Sequence, residues 1–170
     1  MFSFEIEKKP NIIRNKKKLE ERLNIELEEK ENSYIVKAND GLTLNKAIKI
    51  IDALNAGFGE EAYKLLDDNY DFMVIPIKRA TKNDKERKRI LARLIGTKGK
   101  AKKNISNLTG VSVIIDDKKK EAYLLGKIED LIIARESINR IIEGQPHGKV
   151  YSFLESNRRL KKLRDLRDSL

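Results

Sequence analysis

The run Arg93-Leu94-Ile95-Gly96-Thr97-Lys98-Gly99-Lys100 is the stretch of this 170-residue chain whose residue types and spacing best suit ligand chemistry. Apolar spacing predicts one helix up to Gly96 and a second from just after Gly99. The first amides of a helix lack internal partners and, with the helix dipole, make a small anion site. Glycine at positions 96 and 99 removes two Cβ atoms, so a sugar–phosphate chain can lie directly on the peptide. Thr97 and Lys98 point from the turn toward solvent or phosphate. Lys100, Lys102 and Lys103 add charge on the second helix, and Arg89 and Arg93 approach from the first. Phosphate contacts position a nucleic acid without reading it. Reading falls to a groove beside the loop. Its expected floor is Leu94–Ile95 and the strand 111–115, including Val113, and its expected far wall is the strand 121–125. Such a groove takes about four unstacked nucleotides.

A bare helix–helix turn can also read Gly-x-x-Gly, so the context carries the weight. Ile105 follows six residues after Gly99, then Thr109-Gly110, then a strand. A nucleotide-binding P-loop needs Gly-x-x-x-x-Gly-Lys-Ser/Thr after a strand, and neither condition is met. With no cysteine, thiol catalysis and cysteine–zinc sites are excluded. The single histidine, His147, lies between Pro146 and Gly148 and reads as a turn residue. Asp67-Asp68 and Asp116-Asp117 fall in predicted turns and read as loop polarity. The chain therefore reads as a non-enzyme without a cofactor or metal. Two alternatives are carried with RNA binding: a protein–protein adaptor, and a metal-dependent RNA-processing enzyme whose carboxylates converge only in space.

Charge is uneven. Residues 1–70 hold 12 Lys/Arg and 14 Asp/Glu, a net of −2, whereas residues 71–170 hold 25 and 13, a net of +12. A basic field on one part favours a polyanion. A lysine-rich solubility surface is the plainer explanation, and the asymmetry argues for a site. No apolar run reaches the roughly 20 residues that span a bilayer. The first residues, MFSFEIEKKP, lack the basic-then-apolar order of a signal peptide. The expectation is a soluble, cytoplasmic protein without a membrane partner.

Periodicity supplies the elements that must hold the loop. Phe2–Ile6 alternates as a strand. Pro10-Asn11 is read as a break, and 14–24 as a short polar helix with Leu19 and Leu23. Strands follow at 25–29 and 34–38. A helix then runs to about Asn55, with Thr43 as its expected cap. Gly57-Phe58-Gly59 ends that helix, and 60–66 is a connector. The pattern restarts with a strand at 71–77, a charged loop at 78–86 and a helix at 87–95 turning Ile90, Leu91 and Leu94 inward. Beyond the glycines come a helix to Leu108 and strands at 111–115 and 121–125. A helix at 128–142 follows, with Ile128, Leu131, Ile132, Arg135, Ile138 and Ile142 along its face. Residues 149–170 read as a basic amphipathic helix whose leucines (154, 160, 163, 166, 170) dock it on the modules or on RNA or protein.

The chain is thus a repeat. Aligning the helix-to-strand junctions sets Ile105 on Leu19, Gly110 on Asn24 and Val111 on Ile25. Glycine and asparagine are the residues that most readily take the left-handed helix end. The same register sets Gly96 on Pro10 and Gly99 on Ile13. The first copy keeps the frame, loses the glycine loop and almost loses its first helix.

The run Leu94–Gly99, Ile105 and Thr109-Gly110-Val111 resembles the K-homology (KH) RNA-binding domain of order βααββα. The whole chain is similar to archaeal two-domain KH proteins related to the eukaryotic ribosome-assembly factor called partner of NOB. The connector 57–62 and the segment 144–151 share in this. The resemblance implies an α+β (α/β) fold of two tandem type I KH modules. Each is a three-stranded antiparallel sheet packed against helices, with a C-terminal helix added. The implied layout is a degenerate module over 1–56, a connector over 57–70, a Gly-x-x-Gly module over 71–144 and a basic extension over 145–170. It further implies binding of single-stranded RNA near the 3′ end of small-subunit ribosomal RNA during ribosome assembly. The implied partners are an rRNA endonuclease and the α subunit of initiation factor two.

Overall fold

The structure, a computed structural model, describes residues 1–170 and divides into two compact units, Met1–Asp68 and Asn69–Leu170. The first contains β1 (Phe2–Glu7), α1 (Pro10–Leu23), β2 (Glu26–Glu29), β3 (Ser33–Ala38), α2 (Gly41–Ala56) and a 3-10 segment (Gly59–Leu66). The second contains β4 (Tyr70–Pro76), a 3-10 turn (Ile77–Ala80), α3 (Asp84–Ile95), the turn Thr97–Gly99 and α4 (Lys100–Thr109). It continues through β5 (Ser112–Asp116), β6 (Glu121–Lys127), α5 (Ile128–Ile142) and α6 (His147–Asp168). Each unit holds one antiparallel sheet with its last strand in the middle, in the orders β1-β3-β2 and β4-β6-β5. The expected pair of KH-like modules and the additional C-terminal helix are present.

Period-two alternation decides which face of each sheet meets the helices. In the first unit Leu27, Tyr34, Val36 and Ala38 are buried, while Lys37 faces Glu26 and Glu28 on the opposite side. In the second, Ile75, Val113, Ala122 and Leu124 join Ile90, Leu94, Ile105, Leu131 and Ile138 in one core.

The two copies end their middle helices alike. Gly110 (φ 76°) donates its amide to the Ser106 carbonyl, and Asn24 (φ 52°) donates to Glu20. Thr109 Oγ1 adds two bonds at this junction, donating to the Ile105 carbonyl (2.7 Å) and accepting from the Val111 amide (3.2 Å). The likeness continues past the last helix, where Gly57 (φ 106°) and Gly144 (φ 95°) both terminate in the left-handed region. Both are followed by a helical segment that folds back. Gly59–Leu66 packs on α2 and places Tyr63 beside Lys18 and Arg22 of α1, and α6 packs on α4 and α5. The connector thus repeats the architecture of the C-terminal extension.

Several local expectations are corrected. Pro10 does not break the chain; it opens α1, where the fixed φ and missing N–H of proline cost nothing. The first module has a single helix between its first two strands. Asp40, not Thr43, caps α2, its carboxylate accepting from both the amide and the hydroxyl of Thr43. The charged loop 78–86 ends early, because Asn83 caps α3 through the Glu86 amide. On α5 the buried stripe is Leu131, Ala134, Ile138 and Ile141. Ile128 and Ile132 are about half exposed, and Arg135 is on the surface.

The expectation for α6 holds for its first half. Val150 and Leu154 are fully buried against α4 and α5, whereas Leu160, Leu163, Leu166 and Leu170 are exposed. Charge holds the helix beyond Leu154: Lys161 Nζ meets both Asp130 oxygens (2.7 and 2.8 Å), and Arg164 meets Glu129 at 3.0 Å. Desolvation works against the Lys161 charge, but hydrogen bonds and charges from Asp130 and Glu129 outweigh it and raise its pKa. The Lys161 hydrogen bond in turn holds the Glu129 carboxyl below its ordinary range. Because the folded pKa of Glu129 is depressed, its contribution is present above the ordinary glutamate pKa and is lost as pH falls through the depressed value. The protection factors of amides 158–168, taken relative to the intrinsic exchange rate at each pH, should therefore fall on acidification through the glutamate range and in Lys161→Met at neutral pH, with those of 131–141 unchanged. Protection that is independent of both changes would show that this latch holds nothing.

Candidate nucleic-acid interface

The corner between α3 and α4 is built around one close approach. Gly96 has φ 73° and ψ 171°, a region open almost only to glycine. A Cβ added there would lie 2.6 Å from the Ala101 amide nitrogen and 2.7 Å from the Ala101 Cβ. The backbone of Gly96 thus rests on the first turn of α4, and only four residues, 96–99, separate α3 from α4. Gly96 donates to the Ala92 carbonyl (2.9 Å) and accepts from the Gly99 amide (3.1 Å). Lys98 and Gly99 follow in left-handed geometry, with φ of 53° and 73°.

The two glycines serve different purposes. Gly96 is needed by the protein itself. A Cβ at Gly99 would meet nothing within 4 Å, so this position faces open space where a ligand backbone can come close. Thr97 and Lys98 are exposed at the tip, and no side chain caps the first amides of α4. Lys100 and Lys103 lie on the exposed stripe of α4.

The other expected residues divide. Ile95 is half-buried on the edge of α3 beside the loop. Val113 lies in the core cluster at 7% exposure, while Ile115, two residues on along the same sheet face, is half-buried. Arg93 faces elsewhere: its guanidinium donates to the carbonyls of Ile141 (2.7 Å) and Gln145 (2.5 Å), capping the carboxyl end of α5. His147 is the first residue of α6, with its Nε2 2.8 Å from the Arg93 carbonyl oxygen. Arg89 is exposed one turn earlier on the Arg93 side of α3. Lys88 and Ala92, exposed and at i−7 and i−3 from Ile95, flank the loop on its own side and were missed by reasoning from charge alone. Counting helical turns back from Ile95 finds both.

The expected far wall needs correction. The strand 121–125 is β6, which pairs with both β4 and β5 and carries Ala122 and Leu124 into the core. The edge strands are β4 and β5, and it is β5 against which α3 and α4 pack. The hairpin geometry requires this, since the last strand lies between the other two. The flank of the groove is therefore β5 with the tip 117–119, where Asp116 accepts from the amides of Lys118 and Lys119, both at 2.9 Å.

This arrangement offers a glycine-floored phosphate seat beside a half-apolar strip. No group of three or more His, Cys, Asp or Glu side chains is placed to hold a metal ion, and no helix is long and apolar enough to cross a membrane. Residues 71–159 match the family model described as eukaryotic type KH-domain (KH-domain type I). The chain belongs to the type I KH-domain family. A KH domain-containing protein of Methanocaldococcus jannaschii is 33% identical over 159 residues, covering 90% of this chain and 68% of that protein. The pre-rRNA-processing protein PNO1 of Saccharomyces cerevisiae is 32% identical over 149 residues. That match covers 82% of this chain, which spans 52% of the yeast protein. Among solved structures, a protein of Aeropyrum pernix superposes with a TM-score of 0.87 at 25% identity, covering 99% of this chain and 96% of that one. Dim2p of Pyrococcus horikoshii, in a structure with a/eIF2alpha and rRNA, gives 0.77 at 27% identity, covering 94% and 96%.

The different purposes of the two glycines of the KH loop can be measured. Gly96→Ala should cost roughly 2–5 kcal/mol, from overpacking on Ala101 together with backbone strain. Gly99→Ala should cost about 1–2 kcal/mol, the left-handed penalty alone. Urea unfolding of the two variants checks this, and equal losses would contradict the close approach at Ala101.

Proposed function

We propose that the second KH module binds single-stranded RNA at the Gly-x-x-Gly loop, and that its target is small-subunit ribosomal RNA near the 3′ end during ribosome assembly. The observation that carries this reading is the open backbone at Gly99, with Thr97 and Lys98 exposed beside it and Lys100 and Lys103 one turn away. A polyanion gains from exposed amides and cations together. Single-stranded RNA fits because its unstacked bases can settle on the strip between Ile95 and β5. The ribosomal target draws support from the names of relatives, which are pre-rRNA-processing proteins, and from the rRNA in the Pyrococcus horikoshii complex.

The protein acts by binding rather than by catalysis. An adaptor role accompanies RNA binding, favoured by the a/eIF2alpha partner of that same relative. The α subunit of initiation factor two and an rRNA endonuclease are the partners we assign to it. The first module, with Pro10 and Ile13 where the glycines would stand, contributes to protein contacts rather than to its own RNA loop.

Replacing Thr97 and Lys98 together with aspartate should weaken binding of single-stranded RNA at least tenfold, about 1.4 kcal/mol, with the thermal unfolding curve unchanged. Retained affinity in a folded variant would overturn the loop assignment and leave the adaptor reading.

A further inference from the structure

The cationic surface of the second unit extends beyond the loop. On α4 the residues Lys100, Lys103 and Asn107 form one exposed stripe at i, i+3 and i+7. It leads away from the loop toward the carboxyl end of α4, where Leu108 is half-buried. There α6 crosses, and a shallow cavity of about 330 Å³ opens, lined by Leu108, Glu155, Arg158, Arg159 and Lys162. The rise of 1.5 Å per residue sets this cavity about 12 Å along α4 from Lys100, a distance that a few nucleotides bridge.

The basic residues of α6 are divided between two tasks. Lys161 and Arg164 are neutralised by Asp130 and Glu129 and hold the helix down. Arg158 and Lys162 make no ion pair, and Arg159 reaches only Glu155, at 4.0 Å. Arg158, Arg159 and Lys162 thus lie together around the half-buried Leu108. Leucine offers a face to a base, arginine offers both a stacking plane and a phosphate fork, and lysine offers a point charge for phosphate. Glu155 occupies part of the same rim beside Arg159, and three cations against one carboxylate leave the rim positive.

We propose that this α4–α6 cavity is a second RNA site, holding a nucleotide of the strand that leaves the Gly-x-x-Gly loop along α4. The proposal rests on the reading that the loop binds single-stranded RNA. Arg158 and Arg159 hold phosphate and base there, and Lys162 holds phosphate. The site lengthens the bound segment beyond the groove's four nucleotides without reading sequence.

The test compares RNA of mixed sequence, four and ten nucleotides long, on the full chain and on the triple variant Arg158→Ala, Arg159→Ala, Lys162→Ala. The variant should bind the longer RNA about tenfold more weakly and the shorter one as before. Its salt dependence for the longer RNA should flatten by about one, at roughly 0.7 for each of the phosphates flanking that nucleotide that is no longer neutralised. Equal weakening of both RNAs would overturn the proposal in favour of a diffuse field. Unchanged affinity for both would also overturn it and leave this face of α6 to a protein partner. The Thr97, Lys98 aspartate variant separates the two readings. Loss of the shorter RNA in that variant upholds the loop whatever the triple variant does.

Discussion

The contact between the backbone of Gly96 and the first turn of α4 is the constraint on which the second module depends. With a Cβ in the way, α3 and α4 would have to part, and the turn between them would need more residues. With glycine, the four residues 96–99 suffice, and Thr97 and Lys98 stand exposed at the tip. Exposure of Thr97 and Lys98 is thus a consequence of tight helix packing rather than of looseness. Arg93 strengthens the corner from behind by joining α3 to the carboxyl end of α5, and His147 brings the start of α6 to the same point. An arginine that looks like a phosphate ligand in the sequence is a strut in the fold.

The first module shows what remains when that corner is removed. It keeps the strand order, the left-handed stop after its middle helix and the left-handed glycine after its last one. What it lacks is the helix corresponding to α3, and with it the glycine pair. Pro10 then opens α1 where the loop would have been. The sheet and two helices form a sufficient core without the corner, with Ile12, Leu19, Val36 and Ile51 essentially inaccessible. The first module therefore closes its frame without the helix-to-helix corner that the second module builds into its core. A module can lose the glycine corner without losing its fold.

How far the sequence disclosed this follows from what each signal reports. Strand alternation and the glycine and asparagine stops report local backbone, and they located both sheets, the repeat and the loop. Side-chain direction depends on packing between distant segments, and it was legible only in part. On α5 the sequence offers isoleucine on both sides of the helix, and only packing with the sheet selects Leu131, Ala134, Ile138 and Ile141 over Ile128 and Ile132. The direction of Arg93 depends on carbonyls some 50 residues later, which no local spacing reports. Strand order failed for a simpler reason. Alternation marks a strand without saying how many neighbours it has, and β6 was assigned to the groove although it lies in the middle of its sheet.

Net charge is a poor guide to where a polyanion lies until the ion pairs are subtracted. The second part of the chain is basic throughout, yet its cations are not equivalent. Those on the inner side of α6 meet carboxylates of α5, and Arg140 pairs with Glu136 and covers Phe153. Pairs of this kind at the surface are worth little individually, but each removes one cation from the field a ligand feels. After that subtraction Lys98 in the loop, Lys100 and Lys103 on α4, and Arg158 and Lys162 on α6 are among the cations that retain their charge. An anion approaching this unit therefore meets the unpaired cations and not the full net charge of the sequence.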